Sequence, residues 1–232
     1  MRRNSTIALA GIVQSSLSSR NGFVRKGARA LLQVPKRIRS LRIATNELAN
    51  SPPVLANSFP KSGTHLLVQI VAGLPDRNNY GEFLGSETSS FQLRERTAES
   101  TCRFIRGFVP GEIIRGHLYY DSLYDAQLAS RHAVNYFIYR DPRDVVISEA
   151  HYLREMNRWH RLHPYFRQAA SIEEAIMLSI NGLDPAVPGI FYPNIAKRWA
   201  RYHGWLHTSR CHCVRFEDLT SERQPETIRS IV

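Results

Sequence analysis

The chain has 232 residues, of which 43% are hydrophobic, and this is enough for one domain with a sizeable core. Ten of the 31 lysines and arginines, but none of the 20 acids, fall within residues 1–46, so the net charge of +11 describes a basic N-terminal segment attached to a nearly neutral remainder. Three cysteines are too few for a disulfide framework, and the apolar run Ile7–Val13 is too short to span a membrane, which together favour a cytoplasmic protein.

Residues 1–50 predict a flexible basic extension that ends at Ser51-Pro52-Pro53, and residues 51–232 predict the folded domain. A basic segment attracts nucleic acid, acidic partners or anionic membranes, but a solvated extension is the simpler interpretation. No specific nucleic-acid partner is expected. Ala28–Val34 is compatible with a short basic helix on a membrane surface, which leaves peripheral membrane association as the alternative location.

Apolar runs and helical patterns alternate from residue 54 onward. In chain order they predict a strand at Val54–Ser58, a helix at Leu66–Ala72, a loop with short helical pieces at 76–111, a strand at Glu112–His117, a helix at Asp121–Ser130, a strand at Ala133–Tyr139, a helix at 142–156, a loop at 157–170, helices at Ile172–Ile180 and Ile195–His207, a strand at Cys211–Phe216, and a helix from Glu222.

The run Ala133–Tyr139 is almost unbroken in its apolar and β-branched residues, as in a strand that is buried on both faces. Strands that alternate with helices predict the α/β class, with an open, mainly parallel sheet covered by helices on both faces. Ligands of such folds bind at the carboxyl ends of the strands. Lys61, His117, Arg140 and Arg215 all fall at or just past predicted strand ends, which predicts one shared site.

The segment Phe59–His65 follows the first strand as a tight turn with a lysine and two hydroxyl groups, and it opens a helix. Backbone N–H groups at a helix start and a fixed cation form an anion cradle. The turn is therefore P-loop-like, although it lacks the Walker spacing that wraps a triphosphate with magnesium. Gly63 permits close backbone approach, and Lys61 can neutralise charge on a leaving oxygen.

The segment Tyr139–Ser148 has the same strand-to-helix character. Asp141 can cap the helix, and Pro142 stands at its first position, where a missing N–H costs nothing. Arg140 offers a charged fork and Ser148 a hydroxyl, which suits a terminal phosphate. A surface cluster of ordinary Arg–Asp ion pairs is the alternative interpretation. Two anion sites in one chain predict a ligand with phosphate groups at both ends.

Phe59–His65 and Tyr139–Ser148 together resemble the two nucleotide signatures of sulfotransferases that use 3′-phosphoadenosine 5′-phosphosulfate (PAPS). The resemblance implies that Lys61, Ser62, Gly63, Thr64 and His65 bind the 5′-phosphosulfate, with Lys61 also acting in catalysis. It implies that Arg140 and Ser148 hold the 3′-phosphate. His117, in Arg115-Gly116-His117, would be the general base for an acceptor hydroxyl or amine, and the family requires no metal.

Three departures from the family pattern stand out. Leu66 replaces a tryptophan that stacks on adenine, and Phe216 replaces a tyrosine. The C-terminal Arg-Lys-Gly loop that closes the family's 3′-phosphate site has no counterpart before Val232, so we expect a C-terminally short domain whose catalytic competence is open.

The sequence therefore predicts a sulfotransferase that acts on a small-molecule or sugar acceptor. Two alternatives remain: a non-catalytic or truncated homologue that binds PAPS or its desulfated product PAP, and a P-loop nucleotide kinase. Acceptor identity and oligomeric state have no signal in the sequence.

Overall fold

The computed structural model describes residues 22–43 and 46–231. A five-stranded sheet has the order β2-β3-β1-β4-β5, and each neighbouring pair is parallel. The strands are β1 (Val54–Ser58), β2 (Phe83–Gly85), β3 (Ile113–His117), β4 (Val134–Tyr139) and β5 (Cys211–Arg215).

Helices connect the strands and flank the sheet. In chain order they are α1 (Gly22–Ser40), α2 (Glu47–Asn50), α3 (Thr64–Ala72), α4 (Ala98–Arg106), α5 (Ser122–Ser130), α6 (Pro142–His151), α7 (His163–Gln168), α8 (Ile172–Asn181), α9 (Ile195–His203), α10 (Phe216–Leu219) and α11 (Gln224–Ile231). A π-helical turn, Tyr152–Met156, extends α6, and a 3₁₀ turn, Gly204–His207, extends α9.

Both faces of the sheet are covered, because alternate residues of the central strand β1 enter different apolar clusters. Leu55 packs with residues of α4, α5 and α9, among them Ile105, Leu128 and Tyr202. Val54 and Ala56 pack on the other face with α3, α11 and β5. The predicted α/β class, with a parallel sheet between helices, is confirmed.

The topology fixes where a ligand can bind. From β1 the chain reaches β2 and β3 on one side of the sheet and then crosses to β4 and β5 on the other. The carboxyl end of β1 is therefore a switch point, where the connections diverge and leave a crevice. The turns after β3, β1 and β4 all open at this edge.

The predicted elements differ from the structure mainly in two loops. The segment 76–111 contains β2 and α4, and the segment 157–170 contains α7. β2 has only three residues, too few for a period of two to stand out, and its pairing with β3 is a tertiary contact. The predicted helix 142–156 is one continuous run in the structure, although its last turn is π-helical.

The segment expected to be a flexible extension, residues 1–50, contains in its described part the helix α1, which contacts the domain. Lys36 Nζ lies 3.0 Å from Glu82 Oε1 and 2.6 Å from Glu112 Oε1, and Arg29 also pairs with Glu82. Glu82 and Glu112 are buried, and a buried carboxylate is costly without a cation beside it. The two carboxylates therefore attract the positive charge of α1. Residues 1–21 lie outside the described residues. Within the described ranges, no helix combines the length and the hydrophobicity needed to cross a bilayer.

Candidate functional site

The turn between β1 and α3 has a tightly constrained backbone. Lys61 has a positive φ of 66°, which is uncommon outside glycine, and Gly63 has a φ of 97°. The N–H of Ser62 donates to the carbonyl of Phe59 across the turn at 3.2 Å. A Cβ atom on Gly63 would lie 2.5 Å from Cδ2 of Phe216, so only glycine fits between this ring and the cleft.

Lys61 is half-buried beside an aromatic ring. Its ammonium lies 4.0 Å from the ring centre of Tyr152, within the range of a cation–π contact. Burial lowers the pKa of Lys61; the negative charge of Glu149 opposes this shift, and the positive charge of Arg140 adds to it. Lys61 and Arg140 are therefore close enough for their positive charges to repel each other.

His117 ends β3 with its ring nitrogens in distinct roles. Nδ1 lies 3.1 Å from the carbonyl oxygen of Ser58, and a carbonyl can only accept, so Nδ1 carries the proton. In the neutral ring Nε2 is then the unprotonated acceptor. Burial lowers the pKa of His117 to about 4; the hydrogen bond to Ser58 opposes this shift, while nearby positive groups reinforce it. The imidazole is thus neutral at pH 7 and able to accept a proton.

Two polar side chains of β1 hold His117 in place. The hydroxyl of Ser58 lies 3.0 Å from Nδ1 and 2.6 Å from Oγ1 of Thr64, so it links β3 to the first turn of α3. Fully buried Asn57 spans β1 and β3: its amide donates to the carbonyl of Leu118 at 3.1 Å and accepts from the N–H of Leu118 at 2.8 Å. The general position of His117 was predicted from the sequence, but this support was not.

Arg140 follows β4 and faces the same cleft. Its guanidinium lies 4.6 Å from the ring centre of Phe216, and one terminal nitrogen pairs with Asp144 at 3.2 Å. Its Nε is buried without a hydrogen-bond partner in residues 22–43 and 46–231. Asp141 caps α6 by accepting from the N–H of Arg143, and Pro142 occupies the first helical position, as predicted. An orphaned donor beside a helix start is suited to an incoming anion.

One cleft of about 890 Å³ brings together seven of the eight predicted site residues: Lys61, Gly63, Thr64, His65, His117, Arg140 and Ser148. Ser62 is the exception, since its side chain is fully buried and its hydroxyl has no hydrogen-bond partner in the described part of the chain. Leu66, which replaces the family's stacking tryptophan, packs against the core on the sheet face covered by α3.

The far side of the cleft, next to β2, contains charged residues that the sequence did not single out. Glu87 accepts a hydrogen bond of 3.1 Å from the hydroxyl of Tyr119, and burial raises the pKa of this carboxyl. The guanidinium of Arg201 lies 3.7 Å from the ring centre of Tyr119 and pairs with Glu95. No local sequence pattern links these residues, because they lie far apart along the chain.

A buried ion pair forms the base of the cleft beneath α6. Glu149 accepts hydrogen bonds from Ser179 at 2.6 Å, from Tyr192 at 2.7 Å, and from one terminal nitrogen of Arg198 at 2.9 and 2.7 Å. These partners come from α8, the loop before α9, and α9. No local sequence pattern predicts this network, since its members lie at least 30 positions from Glu149.

In residues 22–43 and 46–231, no group of three or more histidine, cysteine or acidic residues is arranged to hold a metal ion. The cleft's own chemistry is that of an anion site, with Lys61 and Arg140 as its central cations.

Comparisons with known proteins identify the family and the fold of the chain. A family model described as the sulfotransferase domain matches residues 51–231. Among solved structures, the chain is similar to mouse sulfotransferase SULT7A1 complexed with PAP, at 16% identity and a TM-score of 0.52, over 77% of this chain and 57% of that one. The chain thus spans little more than half the length of this neighbour. A search of curated proteins found no match. Because the family model covers most of its length, the chain belongs to the sulfotransferase domain family.

Proposed function

We propose that this protein transfers a sulfuryl group from PAPS to a hydroxyl or amine of a small-molecule or sugar acceptor. The observation that carries the proposal is the order of the groups along the sheet edge: His117 after β3, Lys61 after β1 and Arg140 after β4, all lining one cleft. β1 and β4 are neighbouring strands, about 4.8 Å apart, so the turns that carry Lys61 and Arg140 lie side by side, within reach of one nucleotide.

The residues present fit a ligand that is anionic at both ends. Lys61 and the first N–H groups of α3 offer positive charge at one end, since N–H groups in the first turn of a helix have no intrahelical partner. The orphaned Nε of Arg140 lies at the other end, next to the capped start of α6, and Ser148 of the same helix also lines the cleft. We assign the 5′-phosphosulfate to the Lys61 turn and the 3′-phosphate to Arg140 and Ser148.

The donor supplies the sulfuryl group, and the protein supplies alignment, charge and a base. Nε2 of His117 is the proton acceptor for the attacking acceptor group, because Nδ1 is held as a donor by Ser58. Lys61 offsets the negative charge that develops on the departing phosphate oxygen. The cation–π contact with Tyr152 and the turn backbone fix the ammonium before the reaction, so little reorganisation is needed.

A calorimetric titration of the purified chain with PAPS, PAP and ATP tests the nucleotide. We expect PAPS and PAP to bind without magnesium. Arg140→Ala removes charge-assisted hydrogen bonds, each of which contributes about 1.5–3 kcal/mol, so PAP affinity should fall about 10- to 150-fold. Arg143→Ala is the matched control in the same turn, because that side chain is 88% exposed and pairs with Asp141.

The chemistry is tested by incubating the protein with PAPS and a phenol, an amino sugar or an aliphatic alcohol as the acceptor. Chromatography measures the PAP that is released. His117→Asn should lower turnover by about 10²–10⁴-fold, while PAP affinity stays within about threefold. Binding of PAPS or PAP without sulfuryl transfer to any of these acceptors would favour the non-catalytic homologue. ATP binding that requires magnesium, together with weak PAP binding, would favour a nucleotide kinase.

A further inference from the structure

Helix α1 is attached to the domain by one of its faces. Ala28 is buried, and Arg29, Gln33 and Lys36 all reach Glu82, with Lys36 also reaching Glu112. Arg29, Gln33 and Lys36 follow the four- and three-residue spacing of a single helix face. The docked face therefore fixes the rotation of α1 and decides which side chains point away from the protein.

The opposite face of α1 exposes a row of large apolar side chains, here called the outer stripe: Leu31, Val34, Ile38 and Leu41. Their exposed fractions run from 48% at Ile38 to 86% at Leu41. Steps of three and four residues place them along one side of the helix and its final turn. A contiguous apolar row of this kind on a surface indicates a partner, whereas single exposed apolar residues do not.

The charge around the outer stripe is uniformly positive. Residues 22–43 contain seven lysines and arginines and no acid. Three of these cations, Arg29, Lys36 and Arg39, pair with glutamates of the protein. Arg37 and Arg42 are exposed and have no ion-pair partner among the described residues. The stripe thus lies between unneutralised cations.

We propose that the outer stripe binds the surface of an anionic lipid bilayer. An apolar row flanked by arginines matches an interface in which acyl chains lie directly beneath anionic headgroups. A second copy of the chain fits less well, because it would bring two cationic helices together without a counter-charge. The bilayer would lie parallel to α1, on the side of the protein next to β2, and Arg29 places the first half of α1 at the rim of the cleft.

Flotation of the full chain with lipid vesicles tests the proposal. The vesicles contain phosphatidylcholine alone or with about 30 mol% phosphatidylserine, at about 0.1 M and about 0.5 M salt. We expect binding to the anionic vesicles, weak binding to the neutral ones, and a clear loss at the higher salt. Each arginine near an anionic surface contributes about fivefold in partitioning, so Arg37→Gln combined with Arg42→Gln should lower binding about 30-fold.

The apolar contribution is tested with Leu31→Ser combined with Ile38→Ser, which should lower partitioning more than about tenfold. Leu123→Ser with Met177→Ser is the matched apolar control, because both side chains are 50% exposed elsewhere on the protein. Arg94→Gln with Arg103→Gln is the matched charge control, since both residues are exposed and neither belongs to α1. Thermal melting and PAP titration of each variant show whether the fold and the cleft remain intact.

Three results would overturn the proposal. One is equal binding of the stripe variants, the control variants and the wild type. Another is light scattering that shows a dimer which only the stripe variants convert to a monomer, because a second copy then covers the stripe. The third is vesicle binding that begins only after residues 1–21 are deleted, because that segment then occupies the stripe. The readout does not involve sulfuryl transfer, so it stands apart from the test of the proposed function.

Discussion

The buried ion pair of Glu149 and Arg198 provides the sharpest test of how the cleft is held together. Both side chains are largely buried, with exposed fractions of 11% and 13%. Replacing one member leaves the other as an uncompensated charge, which costs about 3–5 kcal/mol. The free energy of unfolding of a domain is typically about 5–15 kcal/mol, so Glu149→Leu should remove a large part of it.

The double variant separates the ion pair from ordinary packing. Glu149→Leu combined with Arg198→Leu removes both charges, and replacing a buried pair by apolar residues is often nearly neutral, within about 2 kcal/mol. We therefore expect the two single substitutions to be strongly non-additive, with a coupling energy of about 3 kcal/mol or more. Glu155→Leu is the control: this exposed carboxylate follows α6 and, among the described residues, pairs with His151 at 3.6 Å, so its loss should cost less than about 0.5 kcal/mol.

Urea denaturation at constant pH, followed by tryptophan fluorescence, measures all four variants. Trp205 is fully buried and reports loss of the core. The reasoning would be refuted if the two single losses simply added in the double variant, or if Glu149→Leu cost no more than Glu155→Leu. Either outcome would mean that the hydrogen-bonded pair contributes nothing beyond its packing volume.

Three further perturbations address the turn, the histidine and the helix α1. Gly63→Ala places a Cβ against Phe216 at a strained φ, so PAP affinity should fall at least about tenfold. Gly27→Ala is the control, because Gly27 has open space around it, and it should leave the affinity unchanged; calorimetry measures both affinities. An NMR titration of His117 should give a midpoint near 4 and a proton on Nδ1. Because the unfolded chain then binds more protons, the free energy of unfolding should fall as pH drops from 6.5 towards 4, and a midpoint at 6.5 would contradict the inferred burial. Lys36→Met leaves Glu112 buried without its cation, so the free energy of unfolding should fall by about 3–5 kcal/mol and trypsin should cleave α1 faster. Arg37→Met should change neither quantity, and equal cleavage of both variants would argue against the docking of α1.

Much of the fold was predictable because its signals are local. The apolar run ending at Tyr139 and the capping pair Asp141 and Pro142 appear in the structure as a buried strand and a helix start. The positions of Lys61, His117 and Arg140 followed from a general rule on parallel sheets, in which strand ends share one edge. Short β2 could not be predicted, since its stability depends on pairing with β3.

The docking of α1 was also beyond sequence reasoning. A basic segment without acids is typical of a solvated extension, and nothing local shows that Glu82 and Glu112 lie buried and unpaired within reach. The attraction exists only once β2 and β3 are folded and both carboxylates have lost water.

The sequence alone determined the alternation of strands and helices, the two strand-to-helix turns at Phe59–His65 and Tyr139–Ser148 and the family to which they belong. These properties depend on neighbours along the chain: side-chain periodicity, backbone freedom at glycine and the capping of helix starts. Only the tertiary structure decided the neutral state and tautomer of His117, the Glu149–Arg198 pair beneath the cleft and the face by which α1 docks. Each of these depends on which groups lose water together, and that is decided by contacts between residues far apart in the sequence.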